Sequence, residues 1–329
     1  MLKEVSNEIK KDGSFSRQKN RFSTPFGSGE QELPVEKGKY RLIWAAPCPW
    51  SHRAVIVRQL LGLEDAISLG EVDPIRPNIE RIDWAFTLDK GEVDPVLQVR
   101  YLSELYFNAE PNYEGRPTVP AIVDIETKQV VNNDYFRITT DFATKWAPFH
   151  KENAPDLYPK PLREKIDAIN EDIFHNVNNG VYKCGFSRSQ EAYEKAYDEL
   201  FNKLDELEEH LGKNRFLLGD YITEADVRLY VTLARFDVAY YAVFNANKKR
   251  LIDYPNLWSY ARELYEIPAF RDTTNFDAIK EHYYRSARLK ADQLNEQIII
   301  PKGPDLSLWE EKVSRAELSG KDEMFLMKK

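Results

Sequence analysis

At 329 residues the chain exceeds the roughly 250 to 300 at which a single core stops growing, so two domains are expected. With 42% hydrophobic and 30% charged residues its composition is globular, and no apolar run approaches the roughly 18 residues of a membrane span. A net charge of −8 without a long basic run argues against nucleic acid as a partner.

Two distant cysteines, Cys48 and Cys184, exclude a disulfide framework and leave too few thiolates for a structural zinc site, so no metal is expected. The start, "MLKEVSNEIKKDGSFSRQKNRF", lacks the uninterrupted apolar segment of a secretory signal, which points to the cytoplasm.

Residues 1–38 are polar and turn-rich and read as an extension over the surface. "YRLIWA" then predicts a strand, and "PWSHRAVIVRQLLGL" a helix ending before Gly62. Beyond a variable stretch from Ser68 to Pro95, "VLQVRYLSELYF" has a helical pattern, "VPAIVDIETKQVVNN" reads as two strands joined by a turn, and "DYFRITTDFATKW" as a helix. This order suggests a thioredoxin-like α/β unit over residues 39–147. From Pro155 strand signals fade until "QIIIPKG", and helical periodicity fills "LREKIDAINEDIFHNVNNGVYKCGF", "QEAYEKAYDELFNKLDELEEHLG", "TEADVRLYVTLARFDVAYYAVF" and "NLWSYARELYE". An all-helical domain is expected over 155–285. Residues 286–329 are charged and read as a loosely packed tail.

Cys48 falls at the predicted helix start, with Pro49 at the first helical position, where a missing N–H costs nothing. Backbone N–H groups and the helix dipole at this end favour a thiolate, and Arg53 adds positive charge one turn on. Local context alone leaves a nucleophile and a buried structural cysteine as alternatives. Ser51 occupies the place of a resolving cysteine in "CPWS", so any reaction is monothiol and needs an external thiol for release.

Pro120 in "TVPAIVD" opens a strand, where a cis bond would aim the preceding backbone at a peptide ligand and a trans bond would merely start the strand. "NNDYF" ends the next strand and offers either a carboxylate site at a helix start or simple capping by Asn133 or Asp134. "TEAD" is a capping-box variant. Tyrosines cluster at Tyr182, at Tyr240 and Tyr241, and at Tyr283 and Tyr284, where they could hold an aromatic substrate or simply pack. His52 reads as a capping or solvated side chain, and Cys184 as structural.

Several stretches together resemble the glutathionyl-hydroquinone reductases, the Xi class of glutathione transferases. They are "DGSFSRQKNRF", "CPWSHR", "GRPTVPAIVD", "GVYKCGFSRSQEAYEKAY", "FLLGDYITEADVRLYVTLARFD", "YPNLWSYARELYEIPAF" and "IKEHYY", in the family's order over roughly residues 11–285. The resemblance implies a thioredoxin-like domain followed by a glutathione-transferase-type helical domain, a homodimer, and reduction of S-glutathionyl hydroquinones. Cys48 would take the glutathionyl sulfur, and a second glutathione would release it. Trp84, Arg116, Val119 and Pro120 would hold glutathione, with Asp134 and Tyr135 at its γ-glutamyl end. Tyr182, Tyr240 and Tyr283 would line a quinol pocket.

The chain departs from the family in three places. Asp134–Tyr135 replaces Glu-Ser, Tyr241 replaces a histidine, and "SARLKAD" follows "HYY". Glutathione and another low-molecular-weight thiol therefore both stay open as cosubstrate. The expected function is a thiol-dependent reductase of conjugated hydroquinones or mixed disulfides. The competing reading is a non-catalytic glutathione-transferase-like module for small aromatics or protein partners. A conjugating transferase is weaker, because a reactive cysteine retains a mixed disulfide.

Overall fold

The computed structural model describes residues 8–76, 83–286 and 299–327. The chain divides into two compact units, one built on Gln18–Ala154 with Asp277–Ile300, the other on Asn7–Arg17 with Pro155–Phe276 and Pro301–Lys329. This division differs from the boundaries expected of the sequence, since residues 277–285 join the first unit.

In the first unit, β1 (Tyr40–Trp44) is buried throughout and α1 (Pro49–Leu61) follows, with Cys48 as N-cap. Gly62 ends α1 at φ 72°, and a Cβ there would lie 2.5 Å from Lys151 Cβ, so conformation and space both demand glycine. β2 (Ile67–Glu71), α2 (Leu102–Ala109), β3 (Ala121–Asp124), β4 (Gln129–Asn132) and α3 (Ile138–Thr144) complete the α/β arrangement. The sheet order is β2-β1-β3-β4, with β1 parallel to β2 and antiparallel to β3, and β3 antiparallel to β4. Ile43, Leu105, Tyr106, Ala121 and Val123 are fully buried in its core.

β2 lies inside the stretch read as variable. "ISLGE" has a central glycine and no clean alternation, and its partner β1 supplies the pairing that its own pattern does not announce. α2 is shorter than the pattern suggested. Upstream, the Asp94 carboxylate accepts the N–H groups of Val96 (2.9 Å) and Leu97 (2.7 Å), and Gln98 adopts φ 57°, so residues 94–98 form a turn.

The second unit contains α4 (Arg163–Ile173), α5 (Gly180–Phe186), α6 (Gln190–Leu211), α7 (Glu224–Arg235), α8 (Tyr241–Val243), α9 (Pro255–Tyr265) and α10 (Pro268–Arg271). α11 (Phe276–Ser286) is divided, with Phe276 assigned to this unit and Asp277 onward to the first. Single π-helical turns at Phe174–Asn178 and Phe236–Tyr240 interrupt two of the predicted helices. "TEAD" caps α7 as expected: Asp226 accepts the Thr223 N–H at 2.7 Å, and also the Tyr260 hydroxyl at 2.8 Å.

Both termini pack more tightly than their composition suggested. Phe26 is fully buried, edge-on to Tyr40 and Trp146 at 5.5 Å each. In the expected loose tail, Trp309 is buried against Trp258 at 4.9 Å, and the Arg315 guanidinium donates to the Asn214 carbonyl (2.8 Å), Ser259 Oγ (2.8 Å) and the Leu211 carbonyl. Buried aromatic and guanidinium anchors a few residues apart suffice to fix a segment whose average composition is polar. The "QIII" strand signal meets coil at Ile299, which is exposed, and the rest of "SARLKAD" after Ser286 lies outside the described residues.

Candidate active site

Cys48 sits at the turn where β1 passes into α1, with extended backbone (φ −81°, ψ 115°). Its carbonyl starts the helical ladder by accepting the His52 N–H at 3.0 Å. Pro49 has no N–H, so the first-turn donors near the sulfur belong to Trp50 and Ser51, at the positive end of the helix dipole. The thiol is partly exposed and donates to the Val119 carbonyl at 3.5 Å. The Val119–Pro120 bond is cis. The backbone leading into β3 and the sulfur therefore meet directly, an arrangement suited to holding a peptide-like thiol by its main chain.

Ser51 is fully buried, and its hydroxyl oxygen accepts the Ala45 N–H at 3.2 Å while lying 3.2 Å from the Ala45 carbonyl and 3.3 Å from the Cys48 carbonyl. It braces the turn that presents Cys48 and offers no second sulfur. His52 is buried rather than solvated, tilted against Trp44 with rings 6.3 Å apart. Arg53 is also buried. Its guanidinium lies 5.3 Å from the Trp50 ring and 5.6 Å from the Tyr135 ring, and donates to the Tyr135 carbonyl. Its charge is thus tied to the turn at 134–136.

Trp84, Arg116, Val119, Pro120, Asp134, Tyr135 and Tyr283 all belong to the unit that carries Cys48, which packs against the core cluster containing Trp84 and Val119. Arg116 is set by Gln18, whose side chain accepts the Arg116 N–H (2.9 Å) and donates to its carbonyl (3.1 Å). Asp134 Oδ1 accepts from Asn20 Nδ2 and from the Phe136 N–H, both at 3.1 Å. Its carboxylate therefore shapes the loop before α3. The Tyr135 ring packs on Trp50 at 4.9 Å. The capping expected of Asn133 is not seen: its Oδ1 accepts the Phe22 N–H at 3.0 Å, and α3 begins after Arg137 with no side-chain cap.

Three residues escaped the sequence reading, two of them in the first unit. Arg76 lies 5.1 Å from the centre of the Trp84 ring. Burial and the Arg116 cation work against its charge, lowering its pKa, while Asp83 and Cys48 work in its favour. Two guanidinium groups and one thiol thus share one electrostatic neighbourhood. No signal in "DPIRPN" marks Arg76. His282 stacks on Trp84 at 5.4 Å, 13° from parallel, and its only trace in the sequence is the quoted "EHYY".

In the second unit the structure brings Tyr182 and Tyr240 together, with ring centres 5.9 Å apart, and Phe244 stacks on Tyr240 at 5.3 Å. Tyr240 is fully buried at the end of its π-turn, a local form found often at functional sites. Arg17, also missed, lies 4.6 Å over the Tyr182 ring and donates to Asn179 Oδ1 at 2.9 Å. Tyr283 falls in the first unit, edge-on to His282 at 5.1 Å. Cys184 is buried, and burial pushes its thiol up to about 12, as expected of a structural cysteine.

Residues 47–145 match the family described as glutathione S-transferase, N-terminal domain, and residues 190–263 its C-terminal domain. The glutathionyl-hydroquinone reductase YqjG of Escherichia coli is 39% identical over 300 residues, 89% of either chain. The chain belongs to the Xi-class glutathione transferases, the glutathionyl-hydroquinone reductase family. A glutathione transferase from Gordonia bronchialis superposes with a TM-score of 0.83 at 49% identity, covering 89% of each chain. The Xi glutathione transferase of Phanerochaete chrysosporium gives 0.83 at 39% identity, covering 91% of this chain and 95% of its own. YqjG itself has been solved with glutathione bound, and superposes with a TM-score of 0.77 at 38% identity over 90% of this chain and 96% of its own. Membership of this family makes the chain an enzyme of the thioredoxin-like glutathione-transferase fold.

Proposed function

We propose that this Xi-class enzyme is a glutathionyl-hydroquinone reductase that works through Cys48. The Cys48 thiolate attacks the sulfur of the glutathionyl–arene bond. The carbon–sulfur bond breaks, a Cys48–glutathione disulfide forms, and the arene carbon takes a proton to give the free hydroquinone. A second glutathione thiolate attacks that disulfide, leaving oxidised glutathione and a regenerated Cys48.

The observation that carries the reading is Cys48 at the N-cap of α1, facing the Val119 carbonyl, with a buried Ser51 where a resolving thiol would stand. Trp84, Arg116, Val119 and Pro120 bind the thiol cosubstrate, Asp134 and Tyr135 form its γ-glutamyl end, and Tyr182, Tyr240 and Tyr283 receive the quinol. Glutathione is the proposed thiol, supported by the glutathione-bound relative. A homodimer in the cytoplasm belongs to the same reading. Among the described residues no helix is long and apolar enough to cross a membrane. The binding-module reading is not favoured, because a relative of near-equal length carries a reductase name.

Intact mass after incubation with a glutathionyl-hydroquinone tests it. One glutathionyl adduct is expected on the wild type and none on Cys48→Ala. Absence of any adduct on the wild type, or turnover surviving Cys48→Ala, refutes the assignment. Faster turnover with a different low-molecular-weight thiol keeps Cys48 and replaces glutathione.

A further inference from the structure

We infer that His282 is a positioning residue for the Trp84 indole, and through it for binding of the thiol cosubstrate. The inference rests on the role proposed above for Trp84. The Trp84 backbone is fixed without reference to its side chain. Its carbonyl accepts the Leu102 N–H at 2.9 Å, and its N–H donates to Asp83 Oδ1 at 2.8 Å. Those bonds set where the indole begins and leave open which way its plane faces.

His282 sets the plane. Its ring lies 13° from parallel to the indole with centres 5.4 Å apart, within the range of offset aromatic stacking. The imidazole is itself locked, since Nδ1 lies 2.7 Å from the Pro74 carbonyl. A carbonyl only accepts, so Nδ1 carries the hydrogen and the ring cannot turn without losing that bond. Tyr283 closes a further side, edge-on at 5.1 Å and 87°.

Pro74 stands two residues before Arg76, whose guanidinium is 5.1 Å from the same indole. One imidazole therefore joins the segment carrying Arg76 to the aromatic side chain proposed to hold the cosubstrate. A side chain present only to fill space needs neither a donor nor a parallel face. The pairing of a bonded edge with a stacked face is what rotational locking requires.

The test uses full-length His282→Ala, His282→Phe and His282→Asn, each also made with Trp84→Phe so that the difference in emission isolates Trp84. His282→Ala is expected to change Trp84 emission and to raise KM for glutathione about three- to tenfold, the strength of one aromatic stack. Its kcat at saturating thiol should stay within about twofold of wild type. His282→Phe keeps a stacking ring without the bond to the Pro74 carbonyl and should recover only part of the KM. His282→Asn keeps a donor without the ring and should behave like His282→Ala.

Unchanged Trp84 emission in His282→Ala overturns the positioning role alone. So does unchanged KM, or a KM defect that Phe repairs no better than Asn. A wild type that shows the emission difference but neither binds glutathione nor carries it on Cys48 overturns the proposed function, and with it the cosubstrate role of the stack.

Discussion

Replacing Ser51 by cysteine would turn the monothiol turn into a dithiol and test what the buried hydroxyl does. In the native turn Ser51 Oγ accepts the Ala45 N–H at 3.2 Å and can donate to the Ala45 or Cys48 carbonyl, at 3.2 and 3.3 Å. A thiol is a poor substitute in both roles, and a buried N–H left without an acceptor costs about 1–3 kcal/mol. The reduced Ser51→Cys protein should be less stable than wild type by that amount. Oxidation to a disulfide with Cys48 closes a loop of four residues, for which loop entropy returns about 2 kcal/mol, so the oxidised variant should regain most of the loss. Urea titrations with and without excess dithiol measure both, read as midpoint shifts at constant slope. A reduced variant within about 0.5 kcal/mol of wild type would refute the bracing role. Starting from the Cys48–glutathione adduct, the introduced thiol should also expel glutathione without a second glutathione, and an adduct that persists would count against the geometry.

Three further outcomes are expected. Burial pushes the Asp141 carboxyl up to about 6, ahead of opposing effects from Arg137 and Lys145. The folded state then holds this proton more tightly than the unfolded chain, so its contribution is favourable below about pH 4 and lost as pH rises through about 6. Asp141→Asn should accordingly stabilise the protein by up to about 3 kcal/mol at neutral pH and by nothing below about pH 4, checked by urea unfolding across pH. Arg53→Ala removes the buried group that holds the Tyr135 carbonyl and packs on Trp50, and should cost about 2–4 kcal/mol while raising KM for the thiol, read by unfolding and steady-state kinetics. Arg315→Ala leaves the Leu211 and Asn214 carbonyls short of a donor and should lower stability by about 3 kcal/mol, with urea unfolding as the check.

Local grammar was legible wherever one residue's chemistry decides it. Proline after Cys48 and glycine at 62 bracketed α1, and Thr223 with Asp226 announced α7. The cysteine's place followed from those marks. What stayed hidden depends on partners far along the chain. β2 becomes a strand because β1 pairs with it, and the polar termini pack because Phe26, Trp309 and Arg315 find buried partners. His282 comes to Trp84 from 198 positions along the chain and Arg76 from eight, and no periodicity encodes such a meeting. The π-turn before Tyr241 was equally silent, since one extra residue per turn leaves the apolar pattern of a helix almost unchanged.

Among the described residues, the chain passes between its two compact units after Arg17, Ala154, Phe276 and Ile300. During synthesis the ribosome must therefore deliver residues up to about 300 before the unit bearing Cys48 has all its parts, including the imidazole under Trp84. The other unit waits for Arg315. A nascent chain stopped at the end of α10 would therefore display a cysteine at a helix start with no imidazole yet stacked on Trp84.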